Sequence, residues 1–246
     1  MSERNNNPAT DAHEPTDPDF RQRRDAARKR LDALIGADSS DAGERKSWFE
    51  AVYESADGDP AGVPWADLTP KPKLLGYLAD NPGKGRTALD VACGLGDNAE
   101  AIAGAGYQTT AFDLAEGAIR WAIERFPNTQ VNYQTADLFF LPAEWNQAYD
   151  FVHEYYTVQA LEGEMRTAAP AAIARLVAPA GRLLVVARAR AEGTVSSGPP
   201  WPLMPSEVDM FAQGTGLTEV SREVFEVQKQ DLSVPHVKAI FARPPL

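Results

Sequence analysis

Between residues 84 and 187 short apolar runs alternate with stretches in which apolar side chains recur every three or four positions. The runs predict strands at 88–92, 109–112, 131–134, 149–153 and 181–187. The intervening stretches predict helices. In the second of these, Ala115, Ile119, Ala122, Ile123 and Phe126 follow the spacing of one buried helical face. A later one carries Ala169, Ala172, Ile173, Leu176 and Val177. Strand and helix in alternation imply a parallel sheet with helices on both faces. The end of the chain breaks the series. After a Pro-rich loop, 198–202, come a helix over about 206–213 and two long strand-like runs, 217–228 and 236–243, joined by a short polar turn. So short a connection joins antiparallel neighbours.

Ahead of the first strand the pattern is helical. Phe20, Ala27, Leu31, Leu34 and Ile35 mark a helix over 19–35, Trp48, Phe49, Val52 and Tyr53 mark one over Ala42–Ser55, and Leu74, Leu75 and Leu78 mark a third before Asn81-Pro-Gly83. Residues 1–16 are polar and hold too few apolar groups to offset the entropy of ordering. The expected layout is a disordered tail over 1–16, a helical cap over 17–83 and an α/β core over 84–246, cap and core forming one domain.

The 246 residues are 43% hydrophobic, enough for one core, and carry a formal charge of −11, which weighs against nucleic acid and anionic membranes as partners. Cys93 is the single cysteine, leaving no internal disulfide and no cysteine-based zinc site. His13 and His236 are too isolated to suggest a metal. With no signal-like start and no apolar run near the roughly 20 residues that span a bilayer, the expectation is a cytoplasmic protein, monomeric or a weak homodimer. Arg21, Arg23, Arg24, Arg28, Lys29 and Arg30 cluster on the first helix. They read either as a solvated face or as a dock for an acidic partner.

The first strand runs through Asp90 into a turn, Ala92-Cys-Gly-Leu-Gly96, and a helix from Asp97. Glycines let a ligand approach the backbone, and helix N–H groups face it. Gly94-Leu-Gly96-Asp-Asn-Ala99 also satisfies a loose dinucleotide fingerprint. Ligands of such sheets sit at the carboxyl ends of the strands. Those ends bring Asp90; Asp113, which lies 17 residues after Gly96; and Asp137, flanked by Leu138 and Phe139. Asp113 suits the hydroxyls of a ribose, with Leu114 beside it, and Asp137 with Leu138 suits a purine and its amine. Three carboxylates repel a diphosphate and favour a ligand with an ammonium and a sulfonium. The charge thus points to S-adenosyl-L-methionine rather than NAD.

Asp90-Val-Ala-Cys-Gly-Leu-Gly96, Ala111-Phe-Asp113, Ala136-Asp-Leu138 and Tyr149-Asp-Phe-Val152 together resemble the motifs of class I S-adenosylmethionine-dependent methyltransferases. The resemblance implies a three-layer Rossmann-like fold, a seven-stranded mostly parallel sheet ending in an antiparallel hairpin. It also implies that Asp90, Cys93, Gly94, Gly96, Asp113, Leu114, Asp137 and Leu138 hold the cofactor. A narrower set is similar to the thiopurine and thiol/halide methyltransferase group: Phe49-Glu-Ala-Val-Tyr53, Val63-Pro-Trp65, Glu154-Tyr155, Met165-Arg166 and Gly198-Pro-Pro-Trp201. By that likeness Phe49, Tyr53 and Trp65 close over the cofactor, although an aromatic on a polar loop such as Trp65 also reads as packing beneath it.

Methyl transfer needs the nucleophile held close to the methyl, water excluded and the nucleophile unprotonated. A thiol is readily ionised by a nearby cation. Arg166 is the candidate for that cation or for gripping an anion, Tyr155 for orienting the acceptor, and His153 or Glu154 for a base toward oxygen or nitrogen. The expectation is methyl transfer to a small aromatic or heterocyclic thiol, with no metal. Alternatives are an O-, N- or C-methyltransferase on the same fold, an NAD(P)-dependent reductase, and a cofactor-binding protein without turnover.

Overall fold

A computed structural model describes residues 17–31, 42–229 and 232–245. The expectations for 1–16 and for Leu34 and Ile35 fall outside the described residues. Three helices, α1 (Pro18–Leu31), α2 (Ala42–Ser55) and α3 (Pro72–Asp80), precede the sheet. Then follow β1 (Thr87–Val91), α4 (Asp97–Gly104), β2 (Gln108–Asp113), α5 (Glu116–Arg125), β3 (Asn132–Thr135), β4 (Tyr149–Tyr155), α6 (Gly163–Ala174), β5 (Val177–Arg188), α7 (Pro205–Asp209), β6 (Thr218–Lys229) and β7 (Leu232–Ala242). The sheet has the order β3-β2-β1-β4-β5-β7-β6. Strands β1 to β5 pair in parallel, and β7 runs antiparallel between β5 and β6. This is the Rossmann-like methyltransferase fold the motifs imply, a seven-stranded mixed sheet flanked by helices.

Two apolar layers sandwich the sheet because successive strand residues point to opposite faces. One holds Leu89, Val91, Val152, Leu183 and Val185 beneath Ile173 of α6 and Val208 of α7. The other holds Ala88, Phe151, Leu184 and Val186 beneath Leu74 and Leu78 of α3 and Ile102 of α4. There Tyr77 stacks on Phe151 with ring centroids 4.8 Å apart. Strand β4 continues two residues beyond the expected His153, since Glu154 and Tyr155 still pair with Val185 and Val186 of β5. That extension carries His153 off the rim and into the sheet.

The N-terminal helices are tied to the sheet by polar contacts. Glu50 of α2 accepts from the N–H groups of Glu116 (2.5 Å) and Gly117 (3.0 Å), which open α5. Helix α5 lacks a side-chain cap of its own at Ala115, so α2 supplies one. Two members of the basic cluster on α1 turn toward the chain's own acids: Arg23 pairs with Asp59 at 2.5 Å, and Arg24, only 2% exposed, pairs with Asp67 at 2.5 Å. No helix among the described residues is long and apolar enough to cross a membrane.

The turn after β1 has left-handed φ at Ala92 (+52°), Gly94 (+54°) and Gly96 (+89°). A β-carbon on Gly96 would lie 2.4 Å from the Tyr133 hydroxyl, which itself donates to Glu100 at 2.9 Å. Gly96→Ala therefore combines an unfavourable φ with a clash and is expected to destabilise the fold by about 1–3 kcal/mol. Urea denaturation measures it, and Tyr133→Phe, which removes the nearest atom, should recover part of the loss. An unchanged midpoint in Gly96→Ala would contradict this account of the turn.

Candidate active site

The strand order reverses direction between β1 and β4, and a cleft of about 1010 Å³ opens there at the carboxyl ends of the strands. Its first wall is the turn Ala92–Leu95 with Asp113 and Leu114 after β2, and Ala136, Asp137, Leu138 and Phe139 after β3. Its second is aromatic: Trp48, Phe49, Tyr53 and Trp65 from the N-terminal segment, Tyr155 and Tyr156 after β4, and Trp201 from the Pro-rich loop. These walls bring together Cys93, Gly94, Asp113, Leu114, Asp137, Leu138, Phe49, Tyr53, Trp65 and Tyr155 from the residues singled out in the sequence.

Asp113 ties the site together. Its Oδ2 accepts from the Gly94 N–H and its Oδ1 from the Ala115 N–H, both at 3.0 Å, so one carboxylate fixes two turns. Burial pushes its pKa up to about 6, although those backbone donors pull the other way. Asp137 Oδ1 accepts from the Phe139 N–H at 2.9 Å, which turns Leu138 and Phe139 toward the cleft. Burial also raises the Cys93 thiol well above its usual range, reinforced by Asp113 and Asp90. The Cys93 thiol is therefore a packing group at neutral pH.

The aromatic wall is held edge to face. Trp65 meets Phe49 and Tyr53 with centroids 5.7 and 5.9 Å apart, and its Nε1 donates to the Tyr53 hydroxyl at 3.0 Å. Trp65 is still 37% exposed, so it both packs and lines the cleft. Across from it, Lys71 Nζ lies 5.1 Å from the Tyr155 ring centroid and 5.8 Å from that of Tyr156. Asp67 is shared between Lys71 and Arg24, leaving that trio one formal positive charge. The Tyr156 hydroxyl lies 2.5 Å from His236 Nε2. His236 Nδ1 lies 2.8 Å from the Val234 carbonyl, an acceptor only, so Nδ1 donates there and Nε2 accepts from Tyr156.

Five residues proposed from the sequence stand elsewhere. His153 is fully buried within β4, with Nδ1 2.7 Å from Asp90 Oδ1, and neither residue lines the cleft. The cause is the longer β4, whose pairing places His153 opposite Asp90 inside the sheet. Gly96 caps α4 against Tyr133 rather than facing the cleft. Arg166 turns inward: its Nε donates to Glu207, and its remaining nitrogens donate to the carbonyls of Trp201 (3.0 Å), Pro202 (3.2 Å), Val158 (3.3 Å) and Leu161 (3.5 Å). It fastens the Pro-rich loop to the segment after β4. Glu154, the other base candidate, is buried with Oε1 accepting from Thr157 (2.7 Å) and Val158 (3.1 Å), and burial raises its pKa to about 7.

Other cleft residues escaped the sequence reading. Trp48 neighbours Phe49 on the same helix and presents a buried Nε1 with no hydrogen-bond partner among the described residues. Arg188 ends β5, and its place at a strand's carboxyl end is the signal that marks it. Gln159, which follows no strand directly, carried no such signal.

Residues 88–181 match a family described as methyltransferase domain. The motifs of the first wall resemble those that hold the cofactor S-adenosyl-L-methionine. No curated protein matches the sequence. Among solved structures, one concerned with conversion of a disulfide bond into a thioacetal group during echinomycin biosynthesis is 21% identical, with TM-score 0.64, covering 81% of this chain and 93% of that one. The 1,6-didemethyltoxoflavin-N1-methyltransferase of Burkholderia thailandensis, with 1,6-didemethyltoxoflavin and S-adenosylhomocysteine bound, is 17% identical, with TM-score 0.58 and coverage of 81% and 87%. Magnesium protoporphyrin IX methyltransferase of Synechocystis, with S-adenosylmethionine bound, is 14% identical, with TM-score 0.55 and coverage of 91% and 93%. The donor set fits the cofactor: carboxylates and apolar groups on the first wall suit a neutral adenosine, and aromatic faces beside them suit a cation.

Breaking the inward-facing contacts of Arg166 takes from Glu207 one of its two arginine partners and leaves the carbonyls of two segments without their donor. With side chains only 12% and 16% exposed, the pair is nearly buried, and Arg166→Ala is expected to cost about 2–4 kcal/mol. Denaturant titration reads the cost, and limited proteolysis should cut the loop at 197–201 faster. A loss under about 0.5 kcal/mol, the range of an ordinary surface change, would show that Arg166 is no clamp.

Proposed function

We propose that this protein transfers the methyl group of S-adenosyl-L-methionine to a small planar acceptor, with the sulfur of an aromatic or heterocyclic thiol as the favoured nucleophile. The observation that carries the reading is the two-walled cleft, one wall of carboxylates and apolar groups at the strand ends and the other of aromatic rings. On this reading Asp113 accepts from the ribose hydroxyls, Asp137 and Leu138 with Leu114 take the adenine, and Gly94 leaves room for the close approach. Phe49, Tyr53 and Trp65 cover the cofactor and exclude water. The cofactor supplies an already activated methyl electrophile, so the protein's own task is orientation and ionisation of the acceptor.

Support for sulfur comes from what faces the acceptor end. No histidine lines the cleft among the described residues, while Lys71 lies over the rings of Tyr155 and Tyr156. A thiol, with a reference pKa of about 8.5, ionises beside a cation without a dedicated base. Tyr155 borders the acceptor and orients it. The resemblance of the N-terminal aromatic segment and the Gly-Pro-Pro-Trp loop to the thiopurine and thiol/halide group supports the same choice. The three structural neighbours are described with small-molecule chemistry, one of them at sulfur.

A screen of aromatic thiols, phenols and amines with methyl-labelled cofactor tests this reading. Label is expected on a thiol before any phenol or amine; label confined to phenols or amines would move the nucleophile to oxygen or nitrogen, and no label anywhere would leave cofactor binding without turnover. Asp113 offers a second test. Asp113→Ala is expected to weaken S-adenosylhomocysteine binding at least about tenfold, the scale of a lost charged hydrogen bond. Because the native pKa stands at about 6, above the unfolded value of about 3.9, wild-type affinity should fall as pH drops through about 6. Asp113→Asn should bind weakly with no such inflection; calorimetric titration from pH 5 to 8 decides.

A further inference from the structure

Arg188 is the last residue of β5 and lines the cleft beside the second wall. Its backbone is pinned on both sides, the N–H donating to Gln159 Oε1 at 2.7 Å and the carbonyl accepting from the Leu203 N–H at 2.8 Å. The residue therefore projects from a fixed base. It stands directly across the antiparallel ladder from His236, so the two side chains share one face of the sheet, the face that also carries Tyr155 and Val186.

The guanidinium differs from its neighbours in what it meets. Arg166 and Arg190 share Glu207, and Arg190 also donates to the Pro202 carbonyl at 2.8 Å. Arg188 has no ion pair among the described residues, and its Nε is closed off from solvent with no acceptor in reach. A desolvated donor without an acceptor is costly, and a guanidinium matches a carboxylate with two parallel hydrogen bonds. The same charge also acts on the Tyr156 phenol, opposing the upward push of burial, which places its field inside the acceptor end of the cleft.

We propose that Arg188 is a specificity-determining residue that binds a carboxylate, or a similarly planar anionic group, carried by the acceptor. This deepens the reading of a small planar acceptor and rests on it. The substrate class becomes aromatic or heterocyclic compounds with an anionic substituent, oriented by Arg188 while the aromatic wall holds the ring. Since β5 and β4 are adjacent, the anion lies on the far side of Tyr155 and Tyr156 from the glycine turn after β1. That arrangement leaves the nucleophile end of the ring toward the cofactor.

Two readouts test it, with thermal unfolding used to confirm that each variant folds. The first compares methyl transfer to 4-mercaptobenzoate and to thiophenol. Wild-type protein is expected to favour the carboxylate in kcat/KM by at least about tenfold, mainly through KM; Arg188→Gln should collapse that ratio and Arg188→Lys, a point charge without the fork, should keep part of it. The second is calorimetric binding of benzoate to the protein saturated with S-adenosylhomocysteine, which needs no turnover. Benzoate should bind the wild type and weaken at least about tenfold in Arg188→Gln. No preference in the wild type, or an equal preference in Arg188→Gln, overturns the proposal. If neither thiol is methylated, the thiol reading fails and benzoate alone decides for Arg188: equal binding to wild type and Arg188→Gln, or none to either, overturns it.

Discussion

The structure depends on one buried carboxylate. Asp113 accepts backbone hydrogen bonds from Gly94 in the turn after β1 and from Ala115 at the mouth of α5. Those turns meet at the carboxyl ends of β1 and β2, where Glu50 and Arg125 also hold them, Glu50 at the start of α5 and Arg125 at the Leu95 carbonyl. Ala92 is an alanine in a left-handed conformation, and the tie to Asp113 two residues on helps hold that strained backbone in place. The pKa of about 6 is the mark of this role: burial costs the charged form, and two N–H donors offset only part of the cost. A ribose that brings further hydroxyl donors would complete what the backbone begins.

Around that point the charges are divided between those consumed internally and those left facing the cleft. Arg24 and Lys71 converge on Asp67, Arg125 closes on Asp97 with bonds of 2.8 and 2.9 Å, and Arg166 turns to Glu207. The chain's net charge of −11 therefore says little about the site. What counts locally is which cations in the cleft lack an acid, and among the described residues Arg188 has no ion pair. The basic helix α1, read from the sequence as either a solvated face or a dock, contributes Arg23 and Arg24 to ties within the molecule.

The sheet, its order of elements and its antiparallel ending were legible because they rest on local rules: alternation of strand and helix, glycine at the first turn, and a connection too short for a crossover. The first wall was legible for the same reason, since Asp113 and Asp137 each follow a strand directly. The errors came from side-chain direction. Ending β4 at His153 rather than Tyr155 put His153 on the rim, where pairing with β5 carries it inside. Asp90 looked like a third carboxylate of the site, but its place opposite His153 is a matter of register between β1 and β4, which sequence spacing does not contain. Arg166 and Arg188 are alike as letters; only the position of Glu207, 41 residues from Arg166, separates the clamp from the free fork.

The way Arg166 holds the Pro-rich loop has a further consequence. Apart from Glu207, every group it meets is a main-chain carbonyl, and the loop is also held by the Trp201 N–H donating to the Gln159 carbonyl at 2.7 Å. None of these bonds reads the identity of a loop side chain. A change of side chain at Ser197 or Trp201 thus leaves these bonds in place, so the pocket's shape can diverge while its frame is kept. Such a loop is a natural place for related proteins to acquire new acceptors, and a safe one in which to build a substitution library.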